Sequence, residues 1–427
     1  MRPSPFVLLP LTLIGTLASG GPPSAAQGHR HRAPDLPIGP EFRVNTYTTA
    51  DQRAAFVAGT LGFNYHRVFV WTSIEQDGSG LGVFGRVDGS GEFRVNTYTT
   101  GYQADPSVAI DETGNFVVVW TSDQDGSEAG VFGQRFAVGG TPLGPEFRVN
   151  TYTSDSQQQA RVATDGNGNF VVVWTSEGQD GSAAGIFGQR FSSSGGPVGP
   201  EFRVNSYTTG FQYRPAIAAD VNPNNFVVVW QDGTVPGGGG PGRGVFGQRF
   251  ATAGVPLGPE FEVETYTTGF HGAPALVVQP GGSFVVVWHS DGQDGSDLGI
   301  YGQLYGSAGA PFGAEFRVNA YTTGAQAFPS IGMDGFGCFF IAWTSDDGSG
   351  TGIFGQAYPL GQPTEPQYRV NTYTTGSQQK PMAASDGAIG TFVIAWESQD
   401  QDGSGYGIFA QADNHFIPVE LMTVGVE

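Results

Sequence analysis

Cysteine is almost absent from this sequence, since Cys338 is the only one in 427 residues. A lone cysteine cannot form a disulfide within the chain, so an apolar core must stabilise the protein. Cys338 lies in an apolar run and is expected to be a small buried side chain. Basic residues are also scarce: 19 lysines and arginines face 39 acidic residues, for a formal net charge of −20. This charge argues against nucleic acid as a partner, because phosphates require a basic surface.

Apolar runs long enough to cross a bilayer are absent too, so no transmembrane segment is predicted. The longest run, FVLLPLTLIGTLA at positions 6–18, follows Arg2 and precedes the small residues Ser24, Ala25 and Ala26. A positive start, a short apolar core and small residues before a cleavage point are typical of a secretory signal. We therefore predict a signal peptide at 1–27 and a secreted protein, extracellular or periplasmic.

Helical periodicity is missing as well, and what the sequence has instead is a repeat. Glycines and prolines fall at fixed offsets between short apolar runs, which indicates turns between strands. A unit of about 50 residues recurs, which is typical of a repeat architecture. Its opening phrase, EFRVNTYTTG in the second copy, begins at Glu41, Glu92, Glu146, Glu201, Glu260, Glu315 and Gln367. Each copy ends a second run, typically NFVVVW, with one tryptophan: Trp71, Trp120, Trp174, Trp230, Trp288, Trp343 and Trp396.

Each copy contains four strand candidates, which in the second copy are Glu92–Tyr98, Pro106–Asp111, Asn115–Thr121 and Val131–Phe136. Four short antiparallel strands per copy predict an all-β protein, a seven-bladed β-propeller of four-stranded antiparallel blades. NFVVVW is apolar on both faces, so it belongs inside a blade as the second strand. EFRVNTY alternates charged and apolar residues, as an outer edge strand does. The small-residue run PSVAI then becomes the innermost strand and GVFGQRF the third.

The strand order predicts how the ring closes. The first outer strand, Glu41–Tyr47, has no blade before it, and the last copy ends with its third strand, Gly407–Gln411. The N-terminal outer strand should therefore join three C-terminal strands in one blade. The predicted organisation is a signal at 1–27, a flexible leader at 28–40, the propeller at 41–412 and a tail at 413–427.

The phrases EFRVNTYTTG, NFVVVW and DGSGxGVFGQRF resemble repeats of secreted, largely uncharacterised bacterial proteins. The resemblance covers about Glu41 to Ala412. In larger relatives such repeats accompany calcium-binding or adhesive modules. The phrase DxxGNFxxxW is also similar to the Asp-box turn of sialidase-type propellers, but Asp111 and Gly114 are one position further apart than that motif requires. Most arginines recur with the repeat, which makes them part of the scaffold and argues against a sialidase.

Catalysis requires different groups that converge on one place, whereas near-identical copies put the same groups in seven places. No nucleophile elbow, phosphate loop or zinc spacing is present. A hydrolase could use only the residues in which the fourth and fifth copies deviate. The candidates are Glu262, Glu264, His271, His289 and Asp291. We therefore expect a binding or structural module in place of an enzyme.

Strand alternation puts two loop types on one face, the TYTTGxQ loop after the outer strand and the QDGSxxG loop after the second strand. Their polar residues could form a ring of similar shallow sites that together bind a repetitive ligand, such as a polysaccharide or a cell-surface protein. The alternative is that the tyrosines pack and the polar loops are only solvated. The candidate ligand-binding residues are Gln124, Asp125, Ser127, Gln179, Asp180, Ser182, Gln293, Asp294 and Ser296. The protein is expected to act as a monomer.

Calcium is the one cofactor that the loops suggest, in a calcium-stabilised adhesive module. Asp123, Asp125 and Ser127 stand at alternate positions, and Asp400, Asp402 and Ser404 repeat that spacing. Oxygen ligands at alternate loop positions suit a hard cation. The competing interpretation is that Asp-Gly makes the turn between two strands. No glutamate follows to complete an EF-hand, so the turn interpretation is favoured.

Overall fold

A computed structural model describes residues 39–414 except 61–65, 127, 221–224, 234–243, 362, 364–365 and 386–389. The predicted signal peptide, nearly all of the leader and all but the first two residues of the tail lie outside the described residues. Within the described part, no helix is long and apolar enough to cross a membrane.

The described residues form strands and one short 3-10 helix, Pro359–Gly361. The strands are β1 Phe42–Arg43, β2 Gln52–Gly59, β3 Arg67–Ile74, β4 Leu81–Val87, β5 Glu92–Arg94, β6 Gln103–Ile110, β7 Phe116–Ser122, β8 Gly130–Phe136, β9 Phe147–Arg148, β10 Gln157–Thr164, β11 Phe170–Glu177, β12 Ala184–Phe191, β13 Phe202–Arg203 and β14 Phe211–Ala219. They continue with β15 Phe226–Gly233, β16 Gly244–Phe250, β17 Phe261–Glu262, β18 His271–Val278, β19 Phe284–Asp291, β20 Leu298–Tyr305, β21 Pro311–Arg317, β22 Gln326–Met333, β23 Phe339–Asp346, β24 Thr351–Tyr358, β25 Tyr368–Arg369, β26 Gln378–Ser385, β27 Thr391–Gln399 and β28 Tyr406–Asn414.

The strands form four-stranded antiparallel groups in the order predicted from the sequence. The group β6-β7-β8-β9, for example, runs from the small-residue strand through FVVVWTS and GVFGQRF to the short strand at Phe147–Arg148. Two groups, β10 to β13 and β14 to β17, are joined into one larger sheet by a parallel pairing of Ala184 with Phe211. The first strands of the groups contact one another in a closed cycle: β2, β6, β10, β14, β18, β22, β26 and back to β2. The architecture is that of a β-propeller.

The first strand of the chain pairs with the last. Phe42 lies opposite Ala410 and Arg43 opposite Phe409, so the group β1-β28-β27-β26 combines both ends of the described chain. Val44 continues this contact, since its N–H donates to the Ile408 carbonyl at 2.8 Å. The pairing agrees with the expected contribution of the N-terminal outer strand.

All outer strands except β21 are much shorter than predicted. Glu92–Tyr98 was expected to be one strand, but β5 ends at Arg94. The reason is Asn96, whose side-chain Oδ1 accepts the Val83 N–H at 2.7 Å in place of a backbone carbonyl. Its Nδ2 donates to the Tyr98 carbonyl at 2.7 Å, which turns the chain away from the sheet. The phrase RVN therefore ends the strand.

The repeated tryptophans lie between neighbouring groups of strands, as expected for a covered second strand. Trp120 is fully buried and packs in one cluster with Val68, Val70 and Val83 of the preceding repeat. The other six tryptophans are buried to the same degree. Cys338 is buried as well, as predicted.

Candidate binding face and central channel

The two loop types predicted to share a face are joined by hydrogen bonds. Gln124 in the QDGS loop donates through Nε2 to Oε1 of Glu146 at 2.6 Å. The other oxygen of Glu146 accepts the Thr97 backbone N–H at 2.7 Å and the Thr97 hydroxyl at 2.9 Å, in the TYTTG loop of the same repeat as Gln124. The glutamate that opens one repeat thus joins both loop types of the repeat before it.

The same pattern recurs around the face. The glutamine–glutamate pairs are Gln76 with Glu92, Gln179 with Glu201, Gln293 with Glu315 and Gln401 with Glu41. Gln124, Gln179 and Gln293 were candidates for ligand binding, and each donates to a scaffold carboxylate. Their amides therefore stabilise the loop face, and a ligand role for them stays a prediction.

The aspartates of the QDGS phrase form the turns themselves. Oδ1 of Asp180 accepts the Ser182 N–H at 3.1 Å, and Oδ1 of Asp294 accepts the Ser296 N–H at 3.2 Å. This side-chain turn is the reason Asp-Gly-Ser recurs at this position. Oδ2 of Asp294 faces inward, where it accepts Nδ2 of Asn319 at 3.4 Å. The hydrogen bonds favour the turn interpretation over a ligand role.

The proposed calcium ligands have similar local roles. Oδ2 of Asp123 accepts the Tyr102 N–H at 3.2 Å. Oδ1 of Asp402 accepts the Ser404 N–H at 3.4 Å, and the Asp400 N–H donates to the Gly405 carbonyl at 2.5 Å. Ser127 lies outside the described residues. In the part of the chain that the structure describes, no group of three His, Cys, Asp or Glu side chains is placed to hold a metal ion.

The two histidines of the fifth repeat replace scaffold residues. His271 Nε2 donates to the Thr268 carbonyl at 3.2 Å, as Gln103 Nε2 does to the Thr100 carbonyl in the second repeat. His289 is buried, and its Nδ1 accepts the Phe328 N–H at 3.5 Å. Burial lowers the pKa of His289 to about 3, so the ring is neutral near pH 7.

The acidic residues of the deviant repeat differ in burial and in hydrogen bonding. Glu264 occupies the asparagine position, and its Oε1 accepts the Val245 N–H at 2.8 Å. Burial raises the pKa of Glu264 to about 8. Glu262 is exposed on the outer strand β17, and Asp291 is exposed at the end of β19. His271, His289 and Asp291 lie near one another on the paired strands β18 and β19, and each histidine fills a position that a scaffold residue holds in other repeats.

The structure adds a feature that the sequence reading missed, a bulge in every first strand. In β6 the register shifts between Ala104 and Ser107, so that Asp105 and Pro106 lie opposite Trp120. Asp105 has φ 53°, in the left-handed region. The equivalent left-handed residues are Ala54, Gln159, Arg214, Ala273, Phe328 and Lys380. A non-glycine residue in this region costs on the order of 1–3 kcal/mol and marks sites of possible function.

A hydrogen bond from the neighbouring repeat holds most of these bulges. The residue after the tryptophan of one repeat accepts the N–H of the left-handed residue in the next. Thr72 accepts from Asp105 at 3.2 Å, and Thr344 accepts from Lys380 at 3.0 Å. His289 fills this position for Phe328, which explains its burial without catalysis.

The bulges surround one end of the central channel. The cavity there measures about 460 Å³ and is lined by residues of all seven first strands. Because the first strands start at the TYTTG loops and the bulges lie at their third or fourth residue, this mouth opens on the loop face. The side chains that give it chemical character are Phe56, Asp105, Gln159, Arg161, Arg214, Phe328 and Lys380.

In the sequence, this mouth could have been located from the residues that deviate from the repeat. Every copy has tryptophan in the second strand, yet the left-handed position holds seven side chains of six kinds. Lys380 is the only lysine of the chain, and Arg161 and Arg214 are not part of the arginine period. Deviations from the period therefore collect at the channel, whereas the sequence reading followed the residues that recur.

No family model matches the chain, and no curated protein matches it. Similar solved structures include a Dyadobacter fermentans protein of unknown function, at 10% identity and a TM-score of 0.50, covering 90% of this chain and 100% of that chain. A Penicillium chrysogenum alpha-L-arabinanase complexed with arabinobiose has 15% identity and a TM-score of 0.48, covering 72% and 92%. The six-bladed fucose-recognising Aleuria aurantia lectin has 9% identity and a TM-score of 0.44, covering 76% and 97%. Likeness at such identities concerns the fold alone.

Proposed function

We propose that the protein is a seven-bladed β-propeller whose loop face binds carbohydrate. Each four-stranded group combines three strands of one sequence repeat with the outer strand that opens the next, and the cycle of contacting first strands supports one blade per repeat. The N-terminal outer strand and three C-terminal strands then form the closing blade. The predicted signal peptide makes this a secreted or cell-surface module.

The observation that carries the binding proposal is a set of exposed tyrosines on the loop face. Tyr98, Tyr207 and Tyr321 occupy equivalent positions in the TYTTG loops and are 39%, 40% and 50% exposed. The residue before each tyrosine is held by the side chain that opens the next repeat: Thr97 donates to Glu146, Ser206 to Glu260 and Ala320 to Gln367. An aromatic ring beside polar groups suits the apolar face and hydroxyls of a sugar. Several such weak sites around one face would bind a repetitive polysaccharide through effective concentration.

The test is retention of the protein on immobilised neutral polysaccharides. Single replacements of Tyr98, Tyr207 or Tyr321 by alanine should weaken retention slightly, and the triple replacement should abolish it. Phe312→Ala is a matched control, since Phe312 is 73% exposed on β21 and pairs with Leu304, at the end of β20 opposite to the QDGS loop. Changing Gln124, Asp125 and Ser127 to alanine in one copy should also weaken retention only slightly. Absence of binding by the wild type would refute the proposal. A single variant that loses as much retention as the triple variant would refute a ring of similar sites.

A further inference from the structure

The channel mouth carries a local charge opposite to that of the chain. Its lining contains the cations Arg161, Arg214 and Lys380 and one acidic residue, Asp105, in a protein with a formal charge of −20. Arg214 and Lys380 hold the left-handed bulge positions of two repeats, and Arg161 directly follows the bulge of a third, so the fold brings together residues that are far apart in the sequence. An anion would meet a focused positive potential there and a negative one elsewhere.

The three cations differ in whether a nearby carboxylate already neutralises their charge. Arg161 Nη1 lies 3.5 Å from Oδ2 of Asp105, and Lys380 Nζ lies 3.3 Å from Oε1 of the buried Glu397. Within the described residues, the Arg214 guanidinium has no carboxylate within 4.0 Å, although its backbone N–H is held by Gln159 at 2.9 Å. Arg214 is therefore fixed at its backbone and has a guanidinium available for an external anion.

The left-handed backbone of the bulges also supports a functional role for the side chains there. Glycine adopts a positive φ without strain, and this chain has 68 glycines. None of the seven left-handed bulge residues is glycine. The side chains at these positions are therefore retained against a conformational cost, and the arginine and lysine among them point into the cavity mouth.

The other side chains that line the channel mouth indicate which class of molecule the anionic group belongs to. Phe328 is 39% exposed at the mouth, and Phe56 packs under the Arg161 guanidinium at 4.6 Å. Gln159 supplies an amide. Aromatic faces beside hydrogen-bonding groups, in a cavity of about 460 Å³, fit a short saccharide better than an extended polymer.

We propose that the channel mouth binds an anionic group on a short sugar, a carboxylate or a sulfate ester, with Arg214 as the main anchor. A guanidinium binds either oxyanion through two parallel N–H donors. Lys380 and Arg161 add charge, and Phe328 packs against the sugar ring. This site does not depend on the tyrosine ring of the loop face.

The experiment is calorimetric titration of the purified protein with trigalacturonate, galactose 6-sulfate and neutral galactotriose. One or both acidic ligands should bind, with an affinity that falls as salt rises, and the neutral sugar should bind at least about tenfold more weakly. Binding of trigalacturonate alone would identify the carboxylate as the source, and binding of the sulfate alone the ester. Equal binding of all three sugars, or binding of none, would overturn the proposal.

Matched variants assign the site. Arg214→Gln should raise the dissociation constant of the acidic ligand about tenfold or more, and Arg214→Lys should restore part of the affinity. Arg148→Gln makes the same charge change on an exposed outer strand and should leave binding unchanged. Equal weakening by both glutamine variants would reveal non-specific attraction and overturn the site. Retention on neutral polysaccharide tests the ring independently, and the Arg214 variants should not affect it.

Discussion

The backbone N–H of Ala54 donates to Oε1 of Glu397 at 2.8 Å, which joins the first bulge of the chain to the last repeat. Glu397 follows Trp396 and is fully buried. It also accepts Nε2 of Gln379 and Nζ of Lys380. The same carboxylate therefore links the closing repeats and positions the only lysine at the channel mouth.

Replacing Glu397 should destabilise this closure. Glu397→Ala removes the acceptor of the Ala54 N–H and should lower the free energy of unfolding by about 1–3 kcal/mol. Glu397→Gln should cost less, because Gln231 fills the same position in the fourth repeat and accepts the Ala273 N–H. Lys380→Met serves as the control: the lysine is 46% exposed, so its ion pair should contribute under about 1 kcal/mol. Urea unfolding measures all three, and equal effects of Glu397→Ala and Lys380→Met would contradict this role.

Glu264 should make the protein less stable as pH rises. Burial raises the folded-state pKa of Glu264 from 4.5 to about 8, so the folded protein holds a proton that the unfolded chain releases. Stability from this group is complete below pH 4.5 and is lost as pH rises through about 8. The loss is on the order of 5 kcal/mol. Glu264→Asn restores the residue of the other repeats and should flatten the decline of the thermal midpoint over this range. An unchanged slope in the variant would show that another group is responsible.

His289 should have the opposite dependence at acid pH. Burial lowers its pKa from 6.5 to about 3, so between these values the unfolded chain binds a proton that the folded protein does not. Its stability contribution is complete above pH 6.5 and is lost as pH falls toward 3. His289→Thr places there the residue that follows the tryptophan in four other repeats, and it should make the protein more resistant to acid. Acid titration monitored by circular dichroism compares the two proteins.

The repeat predicted most of the scaffold, because scaffold residues recur. The covered second strand and its buried tryptophan followed from NFVVVW, and the pairing of β1 with β28 followed from an outer strand without a blade. The shortness of the outer strand could not be predicted from the repeat. The Asn96 side chain accepts a hydrogen bond that a backbone carbonyl would accept in a longer strand, and the repeat pattern does not reveal this.

The candidate site at the channel mouth could not be predicted from the residues that recur in every repeat. A bulge at Asp105 adds a residue opposite Trp120 without glycine to signal it, and alternation alone does not show which side of the strand then faces the channel. The clue lay in the aperiodic residues. Arg214 and Lys380 break the pattern in repeats that otherwise look alike, and only the fold shows that their positions are equivalent.

Truncating Trp120 should be among the most damaging single changes in the core. Trp120 is fully buried between two repeats and lies opposite the bulge at Asp105. Trp120→Ala should lower the free energy of unfolding by about 3–5 kcal/mol, and the same change in each other copy should have a similar effect. Chemical unfolding of the seven variants measures this. A loss below about 1 kcal/mol in any copy would show that its tryptophan is not part of the core.

The N-terminal strand should be required for closure although β1 has only two residues. Val44 is fully buried in a cluster with Ile408 and Ala410 of the last repeat, and Phe42 packs against the same cluster. Asn45 Oδ1 accepts the Ile408 N–H at 2.7 Å, and Glu41 binds Thr372 and Gln401. Deleting residues 28–48 removes all of these contacts, with a loss of on the order of 5 kcal/mol as an upper bound for the apolar part.

The deletion should also leave β28 as an open edge, since its N–H and C=O groups lose their partner. We expect a lower thermal midpoint together with concentration-dependent association in analytical ultracentrifugation. Deleting only residues 28–38, which precede the described part of the chain, is the control and should change neither property. Adding a synthetic peptide of residues 39–48 should restore the monomer, because the peptide can pair with β28 as the native strand does. A truncated protein that melts like the wild type would show that the last three strands form a stable blade without β1.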